Sequence, residues 1–217
     1  MNIQKESRTY RLTGTSSLLG SNPANPEIHK KYVAAKAAAL DRAALEEAML
    51  PGSEALEEAM RDVKEQGLTV FLRNGKGEIV LGNHMIKGFF KAALGTLKDQ
   101  IGIAAAKSKV DNLLFVSPSF IRVTQGGEAC REPDGYNERP LRAETMQGPR
   151  VALASSEEID APWEIECTLT LLANEGTKKS EPLTWEAVEA ALDYGAFKGI
   201  GQWRNSGKGS FTWERIE

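Results

Sequence analysis

Gly199-Ile200-Gly201-Gln202-Trp203-Arg204-Asn205-Ser206-Gly207-Lys208-Gly209-Ser210-Phe211 joins a helix-like run to a strand-like run near the end of the 217-residue chain. Glycine lets a backbone adopt positive φ and approach another surface closely, and this stretch holds four of them. Successive N–H groups in such a loop can cradle an anion. Arg204 and Lys208 place positive charge where a phosphate would sit. These residues point to a polyanion, nucleic acid above all. The other reading of them is a plain loop or bulged hairpin with both cations solvated.

Working outward, Thr184 is placed to cap a helix from Trp185 to Tyr194 that stops at Gly195, and Ser210 to Ile216 alternates as a closing strand. Upstream, Ile165, Cys167, Leu169 and Leu171 alternate with Glu166, Thr168 and Thr170, which predicts a half-buried strand over Trp163 to Leu172. Val151 to Leu153 reads as a shorter strand. Thr124 to Pro149 is polar and punctuated by Gly126-Gly127, Pro133-Asp134-Gly135 and Pro140, and predicts a long excursion without regular structure. Leu113 to Val123 predicts a strand with an edge or bulge at Pro118. Met85 to Ile101 predicts an amphipathic helix packing Ile86, Phe89, Phe90, Ala93, Leu94 and Leu97. Leu68 to Leu72 and Glu78 to Leu81 flank Asn74-Gly75-Lys76-Gly77 as a hairpin.

Towards the N-terminus, an alanine-rich helix from Glu27 to Ala48 and a second from Glu54 to Gln66, capped by Ser53, form a helical insertion. Arg8 to Leu19 reads as one strand ending at Gly20, followed by a turn-rich break at Asn22 to Pro26. No internal repeat is found. This order suits an α+β fold, an antiparallel ferredoxin-like sheet with helices on one face, in a single domain over residues 1–217.

The formal net charge of −3 counts against an indiscriminate nucleic-acid binder. Its distribution is uneven. His84 to Lys98 carries Lys87, Lys91 and Lys98 and no acid, and Ala196 to Phe211 carries Lys198, Arg204 and Lys208 and no acid. A local basic surface on an acidic body can still hold a phosphate backbone. Cys130 and Cys167 form no CxxC pair, and reduced thiols in a cytoplasmic protein are the plainer reading beside one disulfide. With two histidines far apart, neither a metal nor another cofactor is expected. The first residues lack a signal-type apolar segment, and no apolar run is long enough to span a bilayer.

The glycine stretch resembles the glycine-rich loop of the RAMP superfamily, the RNA-binding subunits of CRISPR systems. A second stretch, Val80-Leu81-Gly82-Asn83-His84-Met85-Ile86-Lys87-Gly88-Phe89-Phe90-Lys91, is similar to the motif of that family's backbone subunits. Gly82, Lys87-Gly88 and Lys91 keep its glycine and basic positions. Asn83-His84 stand where serines are usual and leave polar capping groups, while the preceding proline is missing.

The resemblance implies an RRM-like core that self-associates along a single-stranded guide RNA, beside other effector subunits and the complementary target strand. It implies RNA contacts at Asn83, His84, Lys87, Lys91, Gly199, Gly201, Trp203, Arg204, Ser206, Gly207, Lys208 and Gly209. Residues 124–150 would be the thumb and 27–66 the variable insertion. Such a subunit holds phosphates and sugars and leaves base edges unread. Trp203 either stacks on a base or packs under the loop. Gly88 suggests close approach by a ligand or another chain. No catalysis is expected. Two alternatives remain: a metal-independent guide-RNA-processing endoribonuclease using His29, and a mobile-element or viral relative that binds single-stranded nucleic acid or a partner's subunit interface.

Overall fold

The computed structural model describes residues 3–24, 67–145, 148–175 and 181–217. The expected helical insertion at 27–66, with His29, lies outside them. Among the described residues, strands β1 (Lys5–Gly14), β2 (Leu18–Leu19), β3 (Asn22–Pro23), β4 (Gly67–Val70), β5 (Leu72–Arg73) and β6 (Ile79–Gly82) lead to helix α1 (Asn83–Ile101). Helix α2 (Ala106–Leu113) and strands β7 (Leu114–Ser117), β8 (Phe120–Gln125), β9 (Glu128–Ala129), β10 (Gly135–Thr145), β11 (Gly148–Ile159) and β12 (Glu164–Leu172) follow. Helix α3 (Trp185–Asp193) and strand β13 (Phe211–Arg215) close the chain.

The fold is α+β and ferredoxin-like. Its centre is the antiparallel order β13-β1-β12-β7, with α1 between β1 and β7 in sequence and α3 between β12 and β13. The β12 alternation buries Ile165, Cys167, Leu169 and Leu171 on one face. That face meets Ile86, Phe89, Phe90, Ala93 and Leu94 of α1 and Val188, Ala191 and Leu192 of α3 in one core. Phe89 makes edge-on ring contacts with Phe90 and Phe211, at 5.5 and 5.2 Å between centroids. Thr184 caps α3 as expected, its Oγ1 accepting from the Ala187 N–H at 3.3 Å. The Asn74–Gly77 hairpin is also present: Leu72 pairs with Val80, and Gly77 takes the positive φ that its turn requires.

Three expectations are corrected. Arg8 to Leu19 is not one strand. The chain leaves the first sheet at Gly14 and enters a second as β2, paired with β11, because Thr15 to Ser17 bond to the glycine loop instead. The strand expected over Leu113 to Val123 is split into β7 and β8 around Ser117–Pro118, and α2 precedes it.

The third correction concerns residues 124–150. They hold a tight β8–β9 turn on Gly126 and Gly127, both at positive φ, and then a long hairpin. β10 pairs with β11 from Gly135↔Glu158 to Thr145↔Gly148. The inward positions of β10 include Asn137 and Arg139, so a real alternation carries no hydrophobic signal. β10 lies at the edge of the second sheet, where a proline such as Pro140 is tolerated.

Both cysteines are free and buried, which settles the disulfide alternative. Burial pushes the Cys167 thiol up to about 12 and raises Cys130 as well. A thiolate-selective reagent should therefore label neither cysteine in the native protein and both after denaturation. Rapid native labelling of Cys167 would contradict the packing. No helix among the described residues is long and apolar enough to cross a membrane, and no metal-ligating cluster occurs among them.

Candidate nucleic-acid interface

The glycine loop is built by backbone crossing backbone. A Cβ on Gly199 would stand 2.2 Å from Lys208 O, and one on Gly209 would stand 1.9 Å from Ile200 O. Gly209 also has φ +70°. The two arms join through Ile200 N–H to Gly209 O at 3.0 Å. The loop then clasps the β1–β2 corner. Gly209 N–H donates to Ser17 O at 2.8 Å, Thr15 N–H to Ser210 O at 2.8 Å, and Ser210 N–H to Ser16 Oγ at 2.9 Å. Gly201, at φ +79°, lies against Leu18 and Leu19. Several amides expected to cradle an anion are thus spent on the protein's own carbonyls. The glycines serve close approach first.

Side chains fasten the loop to the second sheet. Gln202 is buried, its Oε1 accepting from Thr69 at 2.5 Å and Ser156 at 3.0 Å. Lys208 donates to Glu158 Oε1 at 2.7 Å and to Ser17 Oγ at 3.3 Å. Burial pushes the Glu158 carboxyl up, but hydrogen bonds from Lys208, Ser17 and Asn137 outweigh it and hold the group below its ordinary value. Arg204 is buried. Trp203, half-buried and at φ +56°, neither stacks freely nor disappears under the loop. The Arg139 guanidinium lies over its ring at 4.8 Å and donates to Ser206 Oγ at 3.0 Å. Ser206 and Gly207 are exposed. Arg139 was not among the sequence candidates. It sits on the strand expected as a loop, and only the fold brings it to a tryptophan 64 positions away.

At the other motif, α1 starts from Gly82 with no side-chain cap, so Asn83 and His84 do not cap it as expected. Asn83 donates its side-chain amide to Val116 O at 3.0 Å, and the His84 ring lies over Gly82, 2.2 Å from where a Cβ would be. Lys87 is half-buried, donating to Asp111 O at 2.8 Å with its ammonium 5.0 Å from the Phe115 ring centre. Burial pushes this ammonium below its ordinary value, against the raising field of Asp111. Lys91 pairs with Asp111 at 3.0 Å. Gly88 faces open space, so close packing does not demand it.

The two motifs meet directly in the core, where the Phe89 ring lies 5.2 Å from that of Phe211, and indirectly through the segment that follows β1. Ser17–Leu19 touches the glycine loop, while Ser21 Oγ reaches Met85 Sδ at 3.8 Å. Positions 85 and 87 are about 200° apart on a helix. Lys87 and Lys91 accordingly turn to the α2 flank instead of the glycine loop. The loop's own neighbours are Arg139, Arg204 and Lys208.

No family model and no curated protein matches the chain. Solved structures do. One, described as a cryo-EM structure of the Type III-B Cmr-beta bound to cognate target RNA, is similar at 6% identity and a TM-score of 0.45, over 99% of this chain. The match spans 60% of that chain's length.

Proposed function

We propose that the chain binds single-stranded RNA by its sugar–phosphate backbone, as a non-catalytic subunit that associates with copies of itself along a guide strand in a CRISPR-type effector. The observation that carries this reading is Arg139 laid over Trp203 beside Ser206. Arginine has five N–H donors, and this one has a hydrogen bond to Ser206 and a stacked face, which leaves donors for a phosphate. The loop beneath is held by its own hydrogen bonds, so little ordering cost falls on binding. The resemblance of both motifs to the RAMP superfamily supports RNA as the polyanion.

Fluorescence anisotropy with a labelled single-stranded RNA tests it. Affinity should fall at least about tenfold between 50 and 200 mM salt. Arg139→Ala should weaken binding about tenfold at any sequence, with the RNA recovered intact. Absence of binding at the lower salt, or wild-type affinity in Arg139→Ala, would remove the reading.

A further inference from the structure

A second surface has the chemistry of a nucleobase platform. In β12 the buried residues Ile165, Cys167, Leu169 and Leu171 mark the inner face of the first sheet.

 Residues paired directly across an antiparallel ladder share a face. Val116 pairs with Leu169 and Val123 with Ile165, so both lie inside. Phe115 pairs with Thr170, Ser117 with Thr168 and Thr124 with Glu164, so they lie outside, and Phe120 and Arg122 follow Thr124 by alternation. The outer row of β7 and β8 is therefore Phe115, Ser117, Phe120, Arg122 and Thr124. Phe120 is 61% exposed and Phe115 46%. Beyond them the face continues in hydroxyl pairs, Thr170 with Ser7 at 2.8 Å and Thr168 with Thr9 at 3.1 Å.

Charge selects the occupant. The outer row holds no acid. Around it, Asp111 is met by both Lys87 and Lys91, and Glu78 lies in the field of Arg122 and Arg131. On the same face Glu164 stands across from Thr124 and Glu166 is paired with Arg11, so Asp111, Glu78 and Glu164 stand against Lys87, Lys91, Arg122, Arg131 and Lys76, and the surroundings of the two rings keep an excess of cations. An apolar protein partner gains nothing from that excess. A strand that carries both flat π faces and phosphates uses the rings and the cations together.

We infer that the outer face of β7–β8 stacks unpaired bases of a single-stranded nucleic acid on Phe115 and Phe120, with Lys87 and Arg122 beside the phosphates. This rests on the proposed RNA binding but uses a surface separate from the glycine loop. It adds affinity that depends on the presence of bases, whereas Arg139 adds affinity that does not.

The test compares an oligoadenylate RNA carrying 2-aminopurine with an abasic strand of equal length. The full chain should bind the base-bearing strand about tenfold more tightly and quench its 2-aminopurine. The Phe115→Ala/Phe120→Ala double variant should lose both the preference and the quenching while binding the abasic strand as before. Both rings are exposed, so the variant should fold, and circular dichroism checks this. Equal binding of the two strands by wild type, or an unchanged preference in the double variant, overturns the stacking site. So does self-association that the double variant abolishes without any change in RNA binding, which would give the face to a second copy. If Arg139→Ala weakens the abasic strand while the phenylalanine variant is silent, stacking alone falls. If the phenylalanines matter and Arg139 does not, the backbone reading falls and the platform stands.

Discussion

Gly209→Ala is expected to lower unfolding stability by about 3–4 kcal/mol, read as a fall in the urea midpoint. Two effects combine. A left-handed φ costs an alanine about 1–2 kcal/mol. The new Cβ must also push aside a backbone carbonyl, Ile200 O, which lies 1.9 Å from its ideal position. That collision cannot be relieved by a side-chain rotation, since it would break the Ile200–Gly209 hydrogen bond and pull Gly209 N–H from Ser17 O. Gly207 is the control. It too has positive φ, at +82°, but an added Cβ there would meet nothing within 4 Å. Gly207→Ala should cost only about 1 kcal/mol. Equal costs at the two positions would mean that the crossing of the loop's arms is not what Gly209 supplies.

Trp163→Ala is expected to cost about 3–5 kcal/mol. Trp163 is fully buried in the core. Its indole N–H donates to Ser16 O at 2.8 Å, and its own carbonyl accepts from Gly14 N–H at 2.7 Å. The ring fills the space beside Gly14, where a Cβ would come within 2.1 Å of it. The tryptophan therefore braces the corner at which the chain changes sheets, the same corner that the glycine loop clasps. Trp163→Phe keeps most of the packing but orphans the Ser16 carbonyl and should cost about 2 kcal/mol. A cycle with Gly14→Ala gives a sharper result. That substitution should be strongly destabilising in wild type and far less so in Trp163→Ala, because the clashing atoms are gone. Additive costs would contradict the contact.

Much of this molecule is written locally. The α1 stripe, the Thr184 cap, the β12 alternation and the Asn74–Gly77 turn each depend on residues a few positions apart, and each appears where periodicity or turn chemistry puts it. Their order sufficed for a ferredoxin-like sheet. The β10–β11 hairpin was illegible because its inward positions are polar: Asn137 meets Glu158, and Arg139 meets Trp203 and Ser206. Such positions are satisfied by distant partners, and no window of sequence contains both halves.

The candidate site divides in the same way. The composition of Gly199 to Phe211 determined that the backbone would be tightly folded and that cations would stand near it. Only the tertiary structure decided what those features touch. It spends the loop amides on Ser17 and Gly209 carbonyls, turns Lys87 and Lys91 onto Asp111, and brings in Arg139 from another strand. The physical reason is range. Helix period, caps and turns are set by neighbours along the chain, whereas a hydrogen bond or a stacked cation is set by neighbours in space, which long-range packing alone supplies.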